Sequence, residues 1–169
     1  VNVENGTAAM AMAWLAGATA EELKNGMASF KGIHRRFDMQ YKDDKVIFID
    51  DYAHHPTELQ TSINSIKKVY AGRKVCGIFQ PHLYTRTRDF AAGFAAALSQ
   101  LDEVILLDIY PAREQPIPGV SSQIIFDRIT APKKILCTKQ ELLGILEKKR
   151  DFDVLATFGA GDIDRLLPE

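Results

Sequence analysis

Val46-Ile47-Phe48-Ile49-Asp50-Asp51-Tyr52-Ala53-His54-His55-Pro56-Thr57-Glu58 is the stretch that decides the fold. Four apolar residues in a row predict a strand buried on both faces. Two carboxylates, a tyrosine and two histidines then crowd one turn. Pro56 suits the first position of a helix, and Leu59, Ile63, Ile66 and Tyr70 follow at helical spacing. The stretch reads as strand, polar turn, helix. In a parallel α/β sheet such a turn opens at the carboxyl edge of the strands, where ligands bind.

The same alternation continues downstream. Strand 75–79 leads to a helix at about 86–101, and strand 104–107 to a loop, 108–119, and a helix at 121–129. Strand 134–137 leads to helix 139–149, and strand 154–158 to Gly159-Ala160-Gly161-Asp162 and a short final helix. Upstream, residues 36–41 alternate, with Phe37, Met39 and Tyr41 on one side. This predicts a half-buried strand joined to 46–49 by the polar turn 42–45. The expected fold is α/β: a Rossmann-like doubly wound sheet of five parallel strands with one antiparallel edge strand. Turns 50–55, 80–85, 108–119, Thr138 and 159–162 all leave parallel strands and share one edge. They hold most of the unusual polar residues, whereas turns on the other edge, such as 71–74, read as bland.

Before this domain, residues 2–18 read as an alanine-rich helix ending near Gly17. Thr19 suits the N-cap of a second helix, about 20–30, with Leu23, Met27 and Phe30 on one face. Two short amphipathic helices have too little surface to fold alone. The expected division is therefore 1–32, a helical pair from a preceding domain, and 33–169, the α/β domain. The chain starts without Met in helix-like sequence, which reads as a fragment of a longer protein.

The chain has 169 residues, 46% hydrophobic and 25% charged, with a net charge of −1. That balance gives no general attraction to nucleic acid or anionic membrane, so any anion site must be local. Cys76 and Cys137 each lie in an apolar run and read as packing thiols in a reducing, cytoplasmic setting. No run approaches the roughly 18 apolar residues of a membrane helix, and the N-terminal pattern is not secretory.

Gln80-Pro81-His82-Leu83-Tyr84-Thr85-Arg86-Thr87-Arg88-Asp89 places two arginines at the start of a helix. Cations there conflict with the helix dipole, and a bound carboxylate or phosphate removes the conflict. The opposing reading pairs Arg86 and Arg88 with solvent or Asp89. Asp50 and Asp51 can accept ribose hydroxyls or satisfy loop N–H groups, and the second role is expected of one of them. His54 and His55 are adjacent, so both cannot face one ligand from a helix face. One of them suits hydrogen bonding or proton transfer, and no metal site is assigned. In His34-Arg35-Arg36 a basic group can reach a phosphate or stay solvated. Gly159–Asp162 gives a weak signal for an anion-binding nest. The chain has no G-x-x-x-x-G-K-[ST] loop. A stand-alone flavodoxin-like ligand-binding module and a metal-dependent hydrolase built on Asp50, Asp51, His54 and His55 stand as alternatives.

Three runs, Asp50 to Glu58, Phe79 to Asp89 and Asp108-Ile109-Tyr110-Pro111-Ala112-Arg113-Glu114, resemble the Mur ligase family of peptidoglycan synthesis. Gln-Pro-His-x-Tyr-Thr-Arg-Thr-Arg is the most specific of them. The likeness spans the chain: Asn2-Val3-Glu4-Asn5 resembles a helix start at the end of the family's central ATPase domain, and the rest its C-terminal domain. The resemblance implies an ATP-dependent ligase that joins L-alanine to UDP-N-acetylmuramate through an acyl phosphate. ATP and Mg2+ are implied, with the magnesium ligands mainly in the central domain. By motif, Asn2 and Asn5 would meet adenine, Arg36 the ATP phosphates and Asp51 the ribose. Tyr52, His54, His82, Arg86 and Arg88 would line the alanine and acyl-phosphate site, with His54 and Arg86 catalytic and Arg86 on the alanine carboxylate. Leu83 stands where many relatives carry a basic residue. The alternative within the family is a murein-tripeptide recycling ligase. No activity is expected of these 169 residues alone.

Overall fold

A computed structural model of the chain describes residues 2–148 and 151–166. The described chain forms two compact units, residues 1–33 and 34–169. In the first, α1 (Asn2–Leu15) and α2 (Ala20–Ser29) are joined at Gly17, whose φ of +99° suits glycine. Thr19 caps α2 as expected: its hydroxyl accepts from the Glu22 N–H while the Glu22 carboxylate accepts from the Thr19 N–H. Met12, Trp14, Leu15, Met27 and Phe30 stay exposed.

The second unit holds β1 (Asp38–Lys42), β2 (Ile47–Asp51), α3 (Pro56–Val69), β3 (Val75–Phe79), α4 (Tyr84–Leu98), β4 (Glu103–Leu107), α5 (Gln123–Phe126), β5 (Lys133–Cys137), α6 (Lys139–Lys148) and β6 (Val154–Phe158). A 3-10 turn, Ile163–Leu166, follows. The sheet order is β1-β2-β6-β3-β4-β5, with β1 antiparallel at one edge and the other five strands parallel. This is the doubly wound sheet expected from the sequence.

Side chains alternate across the sheet. Val75, Phe79, Val104, Leu106, Val154 and Phe158 face the large core, where Leu59, Ile63 and Ile66 of α3 and Phe94 and Leu98 of α4 pack. Cys76, Ile78, Ile105 and Leu107 face the smaller core under Leu142 of α6. Handedness explains the uneven layers. From β2 through β5 the chain steps one way along the sheet, so right-handed crossovers put α3, α4 and α5 on one face. The step from β5 back to β6 runs the other way and puts α6 on the opposite face. Because β6 slots between β2 and β3, the sheet changes winding direction there, and ligand crevices form outside such points.

Three expectations need correction. The first strand starts at Asp38 rather than residue 36, and Met39 and Tyr41 are exposed rather than half-buried. A register shift between Met39 and Tyr41 breaks the alternation, and only Phe37, ahead of the strand, packs on the core. The helix expected at 121–129 shrinks to the four residues of α5. Its start is tied down by Ser122, whose hydroxyl donates to the Leu107 carbonyl. The amino edge of the sheet is not bland: Asp151 bridges Lys74 and Lys133 at 2.8 and 2.9 Å, and those partners hold its carboxyl down to about 2. A shallow pocket opens there beside Cys76, Asp102 and Pro132, away from the strand-end loops.

Among the described residues no helix is long and apolar enough to cross a membrane. Cys76 and Cys137 are buried and form no disulfide, and burial pushes the Cys137 thiol up to about 11.

Candidate functional site

The loops leaving β2, β6, β3 and β4 are neighbours because those strands are neighbours. After β3 the chain does not turn at once. Tyr110 N–H donates to the Pro81 carbonyl and Leu83 N–H to the Tyr110 carbonyl, so residues 81–83 and 110 continue the parallel pairing beyond both strands. This sets the His82 ring on the Tyr110 ring, with centroids 5.8 Å apart and planes 15° apart. Leu83 then takes a positive φ of 72° as the N-cap of α4. The chain reverses there, and Arg86 falls one helical turn from His82. Arg86 Nη1 donates to His82 Nδ1 at 3.2 Å. Thr85 donates through its N–H and hydroxyl to Glu114, pinning loop 108–119 to the start of α4. Those bonds hold the Glu114 carboxyl below the usual range.

From β2, His54 comes in beside this group. Its ring centroid is 6.4 Å from that of His82 and 5.2 Å from that of Tyr52. Burial, the Arg86 charge and His54 together hold the His82 imidazole below its ordinary 6.5. Tyr52, His54, His82 and Arg86 are thus assembled on one rim of the sheet, as the sequence suggested. All four are at least partly open to solvent, so a ligand can reach them. The site can hold a carboxylate on Arg86 beside two imidazoles.

Arg88 is elsewhere. Two residues on from Arg86, it projects from another side of the helix, is 52% exposed and pairs with Asp89 at 2.7 Å. Here the solvated reading of Arg88 describes the geometry. Arg36 is also exposed. Asn5 is exposed on α1, in the first unit, and the Asn2 side chain lies outside the described residues.

The buried arginine is its neighbour. Arg35 has a φ of +59°, which turns its side chain under the loops. Its guanidinium donates to Asp50 Oδ2 at 3.0 Å, to the Gly159 carbonyl at 2.7 Å and to the Gly161 carbonyl at 3.2 Å. It also lies 3.4 Å from Asp164 and under the Tyr52 ring, 5.1 Å from its centroid. Gly159–Asp162 therefore turns carbonyls, not an anion nest, toward a cation. Composition flagged the arginine pair, but choosing between them required the backbone sign at position 35.

Both aspartates at the end of β2 have internal partners. Asp50 is 1% exposed and accepts from Arg35 and, at 2.5 Å, from the Thr157 hydroxyl. Asp51 accepts from Ser62 at 2.7 Å and from the Ala53 and Phe37 N–H groups. Burial pushes the Asp51 carboxyl up against those three hydrogen bonds. The satisfied role expected of one aspartate is filled by both, although a carboxylate with spare lone pairs can still take one more donor. His55 caps α3, its Nδ1 accepting from the Thr57 N–H while Glu58 reaches back to the His55 N–H. With Asp50, Asp51 and His55 so committed, the hydrolase constellation is not assembled. Among the described residues no three of His, Cys, Asp and Glu are gathered around a point that could hold a metal ion.

The residues missed from sequence are Arg35, Tyr110 and Glu114. The last two sit in a strand-end loop whose length hid which positions would continue the sheet.

Residues 35–161 match the Mur ligase glutamate ligase domain. The chain is 65% identical over 167 residues to a UDP-N-acetylmuramate–L-alanine ligase of Parabacteroides distasonis, covering 99% of this chain and 36% of that protein. It is 58% identical to the protein of the same name from Phocaeicola vulgatus, covering 37% of it. The chain thus spans just over a third of these relatives. Among solved structures, the UDP-N-acetylmuramate-alanine ligase of Thermotoga maritima superposes with a TM-score of 0.77 at 27% identity, over 97% of this chain and 35% of that one. A murein peptide ligase of Psychrobacter arcticus shares the fold, with a TM-score of 0.67 at 19% identity.

Proposed function

The chain belongs to the Mur ligase family, and on that premise we propose that it is the C-terminal part of an ATP-dependent ligase joining L-alanine to UDP-N-acetylmuramate in the cytoplasm. Residues 1–32 are then the last helices of the central ATP-binding domain, and residues 33–169 the domain that closes over ATP and receives the amino acid. The observation that carries this reading is the meeting of His54, His82 and Arg86 at the carboxyl edge of the sheet.

In the proposed reaction ATP phosphorylates the muramyl lactate carboxylate. The resulting acyl phosphate is attacked by the alanine amine, and the tetrahedral intermediate collapses to amide and phosphate. Such chemistry depends on positioning and charge stabilisation. Arg86 suits the alanine carboxylate, because a guanidinium fork matches two oxygens. Tyr52 and His82 line the same crevice. Arg36, exposed where the first unit ends, is free to approach the ATP phosphates, with Asn2 and Asn5 toward adenine and Asp51 toward the ribose. Arg88 would need to leave Asp89 to take part. ATP and Mg2+ are the implied cofactors, with the magnesium ligands assigned mainly to the central domain. By the same division, the 169 residues alone are expected to bind ATP weakly and to ligate nothing.

The test is product analysis with the full-length protein. UDP-N-acetylmuramate, ATP and L-alanine should give the alanyl amide with one ADP and one phosphate. Turnover only when a murein tripeptide replaces alanine would assign the recycling activity instead.

A further inference from the structure

His54 and His82 each have one ring nitrogen committed to a partner of fixed sense. His54 Nδ1 is 3.0 Å from the Tyr52 carbonyl oxygen and 3.3 Å from Glu58 Oε2. A carbonyl and a carboxylate only accept, so Nδ1 carries the hydrogen and Nε2 of the neutral ring is a lone pair. His82 Nδ1 is 3.2 Å from Arg86 Nη1. A guanidinium only donates, so here Nδ1 is the lone pair and Nε2 carries the hydrogen. The two rings, 6.4 Å apart between centroids, are opposite tautomers. One presents an acceptor and the other a donor.

We infer that His54 Nε2 is the base that takes a proton from the incoming ammonium, that His82 Nε2–H holds an oxygen of the acyl phosphate, and that Glu58 is the positioning residue for His54. The inference rests on the ligase reading above. The nitrogen loses two protons as its bond to the acyl carbon forms and the bond from that carbon to the phosphate oxygen breaks. His54 takes one, and the departing phosphate carries the other. Glu58 is well fixed for its part: Oε2 also accepts from the His54 and His55 N–H groups at 3.1 and 3.2 Å in the first turn of α3. The arrangement matches the general pattern of a base oriented by a third group.

The test uses the full-length ligase with 15N-labelled imidazoles, assigned through His54→Gln and His82→Gln. The expected spectra show hydrogen on Nδ1 of His54 and on Nε2 of His82. The same tautomer at both positions would overturn the inference. In the kinetic arm His54→Gln should lower kcat for alanine ligation by about a hundredfold or more, the scale of lost general base catalysis. Glu58→Ala should lower kcat on the order of tenfold, the scale of losing the carboxylate that lies 3.3 Å from His54 Nδ1. Glu58→Gln keeps an acceptor oxygen and should restore most of that loss. A fall in kcat for Glu58→Ala that its loss of thermal stability accounts for, with the His54 tautomer unchanged, or a KM for ATP rising in step with the fall in kcat, would reduce Glu58 to a helix cap. A parent enzyme without alanine-dependent turnover would mark failure of the ligase reading, and the spectra report on the tautomers independently of it.

Discussion

Arg35 Nε sits 3.0 Å from Asp50 Oδ2, with the two side chains only 11% and 1% exposed. The pair joins the segment ahead of β1 to the end of β2, and the remaining guanidinium nitrogens extend the tie to the loop after β6. A buried charge left without its partner is costly. Arg35→Met should destabilise the domain by about 3–5 kcal/mol in denaturant unfolding, and adding Asp50→Leu should recover part of the loss. A single variant as stable as the parent would contradict the assigned role.

The adjacent histidines should give different phenotypes. His55 closes the first turn of α3 and packs against Phe90, 4.8 Å between ring centroids. His55→Ala should cost about 1 kcal/mol of stability, the usual scale of an N-cap. His55→Asn should keep most of that stability, because asparagine is a favoured cap. Thermal melts of the variants decide this. An equal loss from both substitutions would mean that the ring packs more than it caps.

The depressed His82 imidazole makes a statement about pH. Because its folded value lies below the ordinary 6.5, the unfolded chain takes up the proton first as pH falls. The resulting loss of stability should begin below the unfolded value and be absent above it. Arg86→Gln removes one of the causes, so the His82 titration, followed by NMR, should move up in that variant. An unmoved titration would separate the two side chains.

The glycines after β6 are packing requirements. A Cβ on Gly161 would overlap Gln80 Oε1 and lie 3.0 Å from Tyr110 Cβ, and one on Gly159 would lie 2.5 Å from the Gln80 backbone oxygen. Gly159 also has a φ of +135°, which side chains rarely adopt. Gly159→Ala should therefore lower the melting temperature, by about 1–3 kcal/mol in stability. Gly161→Ala should displace Tyr110, the ring on which His82 rests, and reduce alanine turnover more than it reduces stability. Turnover falling only in proportion to stability would argue against that coupling.

Much of this was legible in the chain. The runs 75–79 and 104–107, and 154–158 with Thr157 as its one polar residue, fall in strands largely buried on both faces, and Pro56 opens α3 as its ring geometry favours. The rule that strand-end loops share an edge brings turns 50–55 and 80–85 together, and the family resemblance selects Tyr52, His54, His82 and Arg86 within and beside them. The remainder turned on backbone signs and registers that composition does not carry. Arg35 and Arg36 are chemically alike, and a left-handed residue decides which one is buried. Tyr110 joins the site because pairing continues past β3 and β4; the run Asp108–Glu114 carries the family resemblance, but its spacing gives Tyr110 no place in the site. The alternation of Phe37, Met39 and Tyr41 looked like a buried face, but an edge strand with a shifted register has little to bury it against.

The central claim is that the strand-end loops build one crevice in which Arg86 receives the carboxylate of the amino acid. Arg86→Ala in the full-length enzyme, with the Michaelis constants for L-alanine and ATP measured separately, tests it most directly. The KM for alanine should rise by about tenfold or more, the scale of a lost charge-assisted hydrogen bond, with little change for ATP. An equal rise in both constants, or a change confined to ATP, would contradict the claim.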